Sequence, residues 1–416
     1  MTCDAQMTLP KLTVPFFRPE ISDEAIEEVI GTLRSGWLTS GPKVHLFEQM
    51  FAEAVGATHA VAVNSCTAAL HLAVEALGLK QGQAVLVPTM TFAATAEVIR
   101  YQGAIPILVD CDPATSHIDL DDAARKLEQL QSGKLPKAVP GNLEVVGIIP
   151  VHVGGLMLDL ARLREFASTF KLWVVEDAAH AFPAAWKDVA SETWQRCGEG
   201  TAEVTCFSFY ANKSITTGEG GMAVTEDANL AERIRLMSNH GLSHSAWERC
   251  AGENSWDYKI IAPGYKYNLT DIAAALGIHQ LAQAEEMRRK RAAVARYYME
   301  ALAGVAEITL PPDDEQHRLH AWHLFPIKLN LERLSIRRHE FLELLREAGI
   351  GCSVHWRPLH LHPYYQETFG WQPKSFPVAT SVWERLISLP IFPGLRQEEA
   401  EHVVQTIRNV CANYAR

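Results

Sequence analysis

Seven short apolar runs punctuate the first 225 residues and constrain the fold more than any other feature of the chain. They are His59–Val63, Ala84–Val87, Ile105–Val109, Val145–Val151, Leu172–Glu176, Val204–Phe209 and Gly221–Thr225. Amphipathic stretches such as Thr67–Leu77, Leu120–Leu130 and Leu160–Phe170 lie between several of them. Continuous apolar strands alternating with helices predict an α/β domain whose mostly parallel sheet is covered on both faces. In such a sheet, functional groups gather beyond the carboxyl ends of the strands. Asn64 to Thr67, Asp110, Asp177 and Lys213 all fall at such ends or just after them.

The rest of the chain changes character. Periodicity predicts one long helix over Leu269–Ala303. Ala321–Leu329 alternates apolar and polar residues like a half-buried strand, and Arg337–Ala348, closed by Gly349, is an amphipathic helix. Glu398–Cys411 is another. The expected division is a large domain over residues 1–290 and a smaller α+β domain over 291–416. Gln131–Lys137 reads as an exposed polar loop.

The 416 residues are 48% hydrophobic and 21% charged, which is ordinary for a soluble globular protein. The net charge of −11 disfavours nucleic acid as a partner. The basic run Arg288–Arg291 lies on a helical pattern and reads as a solvated face. Eight cysteines are scattered without a CxxC pair, as expected of reduced thiols in a cytoplasmic protein. The opening residues lack the charged head and apolar stretch of a signal peptide, and no apolar run is long enough to span a membrane. Seventeen histidines form neither HExxH nor a Cys/His cluster, so no metal is expected.

Lys213 follows the run Cys206–Phe209 and precedes the turn Gly218-Glu219-Gly220-Gly221. An amine held out of bulk water there favours its neutral form, which can form an imine with an aldehyde. Val174-Val175-Glu176-Asp177 is a buried-type strand ending in an acid. A lone lysine is more often a surface charge, and a lone strand-end aspartate more often a helix cap. Together they are the pair that pyridoxal phosphate (PLP) needs: an amine for the Schiff base and a carboxylate for the pyridinium nitrogen. Asn64–Leu72 opens a helix with small and hydroxyl residues, which suits a phosphate cradle and equally a simple Ser/Thr cap. Phe92, in Pro88–Thr95, can lie on a cofactor ring or in the core. Gly264–Asp271 is polar and aromatic together and opens a helix.

These motifs, in this order, resemble the DegT/DnrJ/EryC1/StrS sugar-nucleotide aminotransferases, which have the fold-type-I, aspartate-aminotransferase-like PLP architecture. The resemblance runs from Pro15-Phe16-Phe17-Arg18-Pro19 to Ser388-Leu389-Pro390-Ile391-Phe392-Pro393. It is carried best by Glu176-Asp177-Ala178-Ala179-His180, by Ser208 with Lys213, and by the glycine turn. Pro263–Ile272 and Ala321–Phe325 look most like the members that make UDP-4-amino-4-deoxy-L-arabinose. The resemblance implies that Lys213 carries the cofactor and Asp177 holds its ring nitrogen. It implies phosphate contacts from Cys66, Thr67, Ala68 and Ser208, stacking by Phe92 and a contact from His180. Asn268 would reach the phosphate of the neighbouring subunit, in a homodimer with shared active sites. His323 and the stretch Val354–His360, which includes His355, would line the substrate entrance. The implied substrates are a nucleotide-linked keto sugar and an amino donor, L-glutamate.

One segment departs from the family pattern. Where relatives have a short turn and then Gly-Asp, this chain has the longer Trp186–Thr201, ending Gly200-Thr201. Two other readings share the scaffold. A PLP-dependent sugar dehydratase would carry histidine where Lys213 stands. A non-catalytic binding protein would have no need of both Lys213 and Asp177.

Overall fold

The seven apolar runs form one sheet. A computed structural model describes residues 12–189, 191–243, 258–313 and 316–416. In chain order the strands are β1 (His59–Val63), β2 (Gln83–Pro88), β3 (Ile105–Val109), β4 (Glu144–Ile148), β5 (Trp173–Asp177), β6 (Ala185–Lys187), β7 (Trp194–Arg196), β8 (Val204–Ser208), β9 (Gly221–Thr225), β10 (Ile308–Thr309), β11 (Arg318–Leu319), β12 (Phe325–Leu329) and β13 (Leu386–Leu389). The main sheet has the order β1-β9-β8-β5-β4-β2-β3. β8, β5, β4, β2 and β3 run parallel, and β9 is antiparallel to both its neighbours. Its strands are buried almost throughout, as continuous apolar runs require when helices cover both faces.

The strand-to-helix turns use the caps their sequences offer. Ser65 caps Cys66–Ala76, accepting from the Ala68 N–H at 3.1 Å. Asp119, Asp159 and Asp227 cap the helices Leu120–Gln131, Leu160–Phe170 and Ala228–Ser238 in the same way. Asp110, a strand-end residue, is also a cap. Its carboxylate accepts from the Val378 and Ala379 N–H groups, at 3.0 and 2.8 Å, at the start of Pro377–Arg385.

β10, β12 and β13 make a second, antiparallel sheet, and β11, β6 and β7 a third. The described residues form two apolar cores, and the chain crosses between them in both directions. Helix Ala284–Ala301 gives Ala284 and Met287 to the first core and Ala295 and Tyr298 to the second. Val14 packs in the second core, while Leu359, Tyr365, Trp371 and Val382 return to the first.

Several expectations need correction. The stretch Leu269–Ala303 is two helices, Asp271–Ala282 and Ala284–Ala301, interrupted at Gln283, whose φ of −100° and ψ of −1° lie at the edge of the helical region. Of Ala321–Leu329 only the second half is strand, since Trp322 takes a left-handed φ of 50°. The basic run is not uniformly solvated: Arg291 is 1% exposed and its Nη1 donates to the Ile391 carbonyl at 2.8 Å. Burial pushes that guanidinium down to about 10. The loop at 131–137 is mostly exposed, but Leu135 is buried. Six cysteines are free thiols, and all but Cys352 are buried; Cys3 and Cys250 lie outside the described residues. Among the described residues no helix is long and apolar enough to cross a membrane.

Candidate active site

β5 and β8 run side by side with Asp177 level with Cys206. Their carboxyl ends open into a cavity of about 460 Å³ lined by Ser65, Cys66, Thr67, Phe92, Asp177, His180, Ser208, Lys213, His323 and His355. Residues 65, 92, 177, 213 and 355 are far apart in sequence, so the cavity exists only because the sheet brings strand ends together. A larger, shallower depression of about 640 Å³ lies elsewhere, among His45, Glu48, His59 and Arg235. It has none of these groups, and the strand-end cavity is the one with chemistry.

Lys213 sits in the loop after β8, where the amide N–H of Lys213 donates to the Tyr210 carbonyl at 2.9 Å. Its side chain keeps some accessible surface at the cavity, but the walls around the amine dominate. Burial pushes its pKa down to about 8, against the pull of Cys66 and Asp177. The amine therefore has a substantial neutral fraction near neutral pH.

Asp177 is 5% exposed. Its Oδ2 accepts from the Thr95 hydroxyl at 2.7 Å and its Oδ1 from the Ala179 N–H at 3.1 Å. Burial raises its carboxyl above the ordinary value, and Thr95, Ala179 and Lys213 pull against that. A buried carboxylate with spare lone pairs facing a cavity is stabilised by a cationic N–H there.

The start of helix Cys66–Ala76 gives the cavity an end suited to an anion. The first-turn amides have no carbonyl one turn earlier to bond, and the helix dipole favours an anion. Backbone packing under this turn is close: a Cβ at Gly221 would lie 2.5 Å from the Ser65 carbonyl oxygen. Cys66 contributes backbone rather than thiol, because its Sγ donates to the Cys206 carbonyl at 3.6 Å. Thr67 and Ser208 line the cavity; Ala68 is spent on the Ser65 cap and is buried beneath it. Asn212 Oδ1 and Ser214 Oγ, flanking Lys213, are buried with no hydrogen-bond partner. Asn212 also lines the cavity, and an orphaned polar atom there fits a site built to hold a polar group.

Phe92 stands at the mouth, 61% exposed. His180 is enclosed: its Nδ1 accepts from the Gly154 N–H at 3.2 Å, its ring lies 4.2 Å from His323, and Trp356 stacks on it at 5.0 Å. The next glycine is obligatory, because a Cβ at Gly155, with φ 99°, would lie 2.8 Å from the His180 carbonyl oxygen. Burial holds His180 and His323 well below the ordinary imidazole value and His355 down to about 4. The ring walls of the cavity are thus neutral. His355 also bonds Ser388 Oγ at 2.9 Å, whereas His360, from the same stretch, is fully buried between Thr89 and Thr380.

Asn268 does not line its own chain's cavity. Its Nδ2 donates to Ser40 Oγ at 2.8 Å and its Oδ1 accepts from Lys266 Nζ at 2.6 Å. Trp356, within the expected Val354–His360 stretch, lines the cavity, whereas sequence reasoning missed the role of Thr95. Thr95 sits in the quoted Pro88–Thr95 motif, but its partner Asp177 is 82 residues away.

The departing segment is also resolved by geometry. β6 and β7 fold it back antiparallel, and Thr201 reaches behind the site, donating to Glu176 Oε2 at 2.6 Å, with Thr205 donating at 2.9 Å. His152, Glu176 and Cys197 place potential metal ligands within 4.8 Å of one another. However, the Leu158 N–H donates to His152 Nδ1 at 3.3 Å, so the neutral ring carries its proton on Nε2, facing Glu176 at 3.6 Å. A proton rather than a lone pair points into the cluster, which does not suit a cation.

PLP requires a neutral amine for its aldehyde, an anion for its ring nitrogen and amides for its phosphate. β8's loop, β5 and a helix start bring groups of these three kinds to one cavity, on a doubly covered, mostly parallel sheet. The molecule is a PLP-dependent enzyme of fold type I. Residues 19–408 match the profile of the DegT/DnrJ/EryC1/StrS aminotransferase family. The chain is 42% identical over 397 residues to an uncharacterised protein of Methanocaldococcus jannaschii, covering 95% of this chain and 97% of that one. It is 40% identical over 398 residues to the spore coat polysaccharide biosynthesis protein SpsC of Bacillus subtilis, with the same coverage. Among solved structures, a Streptococcus pneumoniae protein in its PLP form superposes with a TM-score of 0.83 at 30% identity, covering 97% and 99% of the two chains. The sugar aminotransferase CalS13 of Micromonospora echinospora superposes at 0.80 and 29% identity, covering 95% and 99%. The chain belongs to the DegT/DnrJ/EryC1/StrS family and is a PLP-dependent aminotransferase.

Proposed function

We propose that the enzyme moves an amino group from L-glutamate to the keto carbon of a nucleotide-linked sugar, a 4-keto-6-deoxy or keto-pentose sugar, for a cell-surface polysaccharide or glycan. The observation that carries the reading is the Lys213 amine, lowered to about 8, sharing a cavity with the buried Asp177 carboxylate. The relatives' names, sugar aminotransferase and spore coat polysaccharide biosynthesis, support the substrate class. When bound, PLP supplies an electron sink for the donor's α-carbon. Asp177 keeps the ring nitrogen protonated through a charge-assisted hydrogen bond. Lys213 would hold the cofactor, and its amine would move the donor's α-proton as general base and acid. The Cys66 and Thr67 amides and Ser208 would hold the phosphate, Phe92 and His180 would flank the ring, and His323 and His355 would meet the substrate.

In this reading the protein is a homodimer in which Asn268 of each chain reaches the other chain's phosphate. Asn268 lies off its own cavity, in keeping with that role. A lyase reading is disfavoured by Lys213 itself.

The test is a panel of nucleotide-linked keto sugars with PLP and glutamate, read by mass spectrometry. An amino sugar formed together with 2-oxoglutarate supports the proposal; loss of water from the sugar, or no product with any donor, overturns it. Sharing is tested by mixing Lys213→Ala with Asn268→Asp under subunit exchange. One site of each mixed dimer then has both wild-type residues, so activity returns. Confirmed heterodimers without activity overturn the shared site.

A further inference from the structure

We infer that Thr91 and Thr95 form a directional hydroxyl chain that positions Asp177 and holds it as the anion facing the ring nitrogen. The inference rests on Asp177 serving that nitrogen. Thr95 and Thr91 are 0% and 1% exposed, so neither hydroxyl has water as an alternative partner. The Thr95 Oγ1–H donates to Asp177 Oδ2 at 2.7 Å, and Thr91 Oγ1 lies 2.7 Å from Thr95 Oγ1. A threonine hydroxyl has one proton. Since that of Thr95 goes to the carboxylate, Thr95 accepts from Thr91, and the chain runs Thr91 to Thr95 to Asp177.

The consequence for the carboxylate is specific. Oδ1 is fixed by the Ala179 amide and Oδ2 by Thr95, so the group cannot rotate about its last bond without losing one of them. One lone pair on each oxygen remains for the cavity. Both donors favour the charged carboxylate over the protonated one. The shared proton therefore stays on the ring nitrogen rather than moving to Asp177, which keeps the electron sink at full strength. Thr91 lines the cavity next to the exposed Phe92, and the Thr95 N–H donates to the Phe92 carbonyl at 3.3 Å. The turn that carries the ring-stacking residue is thus the same turn that sets the charge on the far side of the ring. Thr95 and Thr91 are positioning residues; they act through Asp177.

The experiment compares wild type, Thr95→Val, Thr95→Ser, Thr91→Val and Asp177→Asn, each loaded with PLP labelled with ¹⁵N at the ring nitrogen. In wild type the ¹⁵N resonance sits at its protonated position. Thr95→Val, which keeps the shape and removes the hydroxyl, moves it toward the unprotonated position and lowers kcat roughly ten- to a hundredfold, the loss of one hydrogen bond to a charged group. Thr95→Ser restores both. Thr91→Val, one link further away, lowers kcat by about threefold with a smaller shift. If Thr95→Val has a wild-type resonance while Asp177→Asn does not, the inference is overturned and the role of Asp177 stands. If Asp177→Asn also keeps the protonated resonance, the role of Asp177 falls and the inference with it. A folded Thr95→Ser that fails to restore the resonance likewise overturns the hydroxyl chain.

Discussion

Glu176 and Asp177 are neighbours on β5, both buried, yet they face opposite sides of the sheet and live in opposite electrostatic worlds. Glu176 is fully enclosed behind the site. Burial works to raise its carboxyl, and the nearby His152 together with the donors Thr201 and Thr205 outweighs it, leaving the group below its ordinary value. Asp177 has one side-chain donor, Thr95, and ends above its ordinary value. The rear carboxylate takes two hydroxyl donors on Oε2 while its Oε1 is buried without a partner, and it does not line the strand-end cavity; the front one is bonded at both oxygens and lines that cavity. A buried acid with a raised pKa at a cavity marks function, while an equally buried acid held as its anion away from the cavity marks structure.

Substitutions break the comparison in order of effect. Asp177→Asn lowers the rate of proton transfer in single-turnover deamination of the donor by several powers of ten, about 4 kcal/mol or more, with PLP still bound through its phosphate. The same change stabilises the cofactor-free protein at neutral pH. Asp177 has a raised pKa, so the folded state holds its proton longer than the unfolded state, and the cofactor-free fold loses stability as pH rises through that window. Urea melts of both proteins at pH 4 and pH 7 check the sign. A variant no more stable at pH 7 would show that the front carboxylate is not under strain.

Glu176→Gln does the reverse. It costs about 2–3 kcal/mol of stability at neutral pH through weakened charge-assisted bonds, while kcat of the surviving folded enzyme stays within about twofold, within the scatter of a substitution that touches no reacting group. Because the pKa of Glu176 is lowered, this contribution is complete above the ordinary carboxylate range and is lost as pH falls through the lowered value. A loss of stability that is independent of pH would sink this assignment. Thr201→Val removes one of the donors and costs about 1.5 kcal/mol by the same melts. The smallest effect sharpens the front side alone. PLP capture by the cofactor-free protein, followed by absorbance, is roughly tenfold slower at pH 7 than at pH 9, tracking the neutral fraction of an amine with a pKa of about 8. A rate that is flat across this range would mean that the Lys213 amine is not desolvated.

The same contrast explains what was legible in the sequence. β1, β3 and β9 match their apolar runs residue for residue, because a continuous buried strand is written in consecutive residues. Lys213 and Asp177 were visible because each follows such a strand. β4 was read too long, since Val151 pairs with Asp177 only as an isolated bridge after the strand has ended. β6 and β7 were invisible: three residues carry no period. The substitution of Thr201 for the family's aspartate looked like a departure near the substrate. In the fold it serves Glu176 from behind, donating a proton where an aspartate would bring a second carboxylate. Thr95, likewise, had no local sign of its partner. What sequence withheld were contacts across the sheet, which depend on register and on which face a side chain takes.

Helix Ala284–Ala301 is rooted in one core and ends in the other, while the Leu359–Leu386 stretch carries the chain back again. Either core would have to give up buried apolar surface before the other could melt, so the two are coupled as one cooperative unit. Denaturation should then show a single transition, with probes in β2 and β12 disappearing together. The coupling also makes wide separation of the two cores costly, so ligands exchange through the mouth beside Phe92, and turnover depends on the mobility of that rim more than on a hinge.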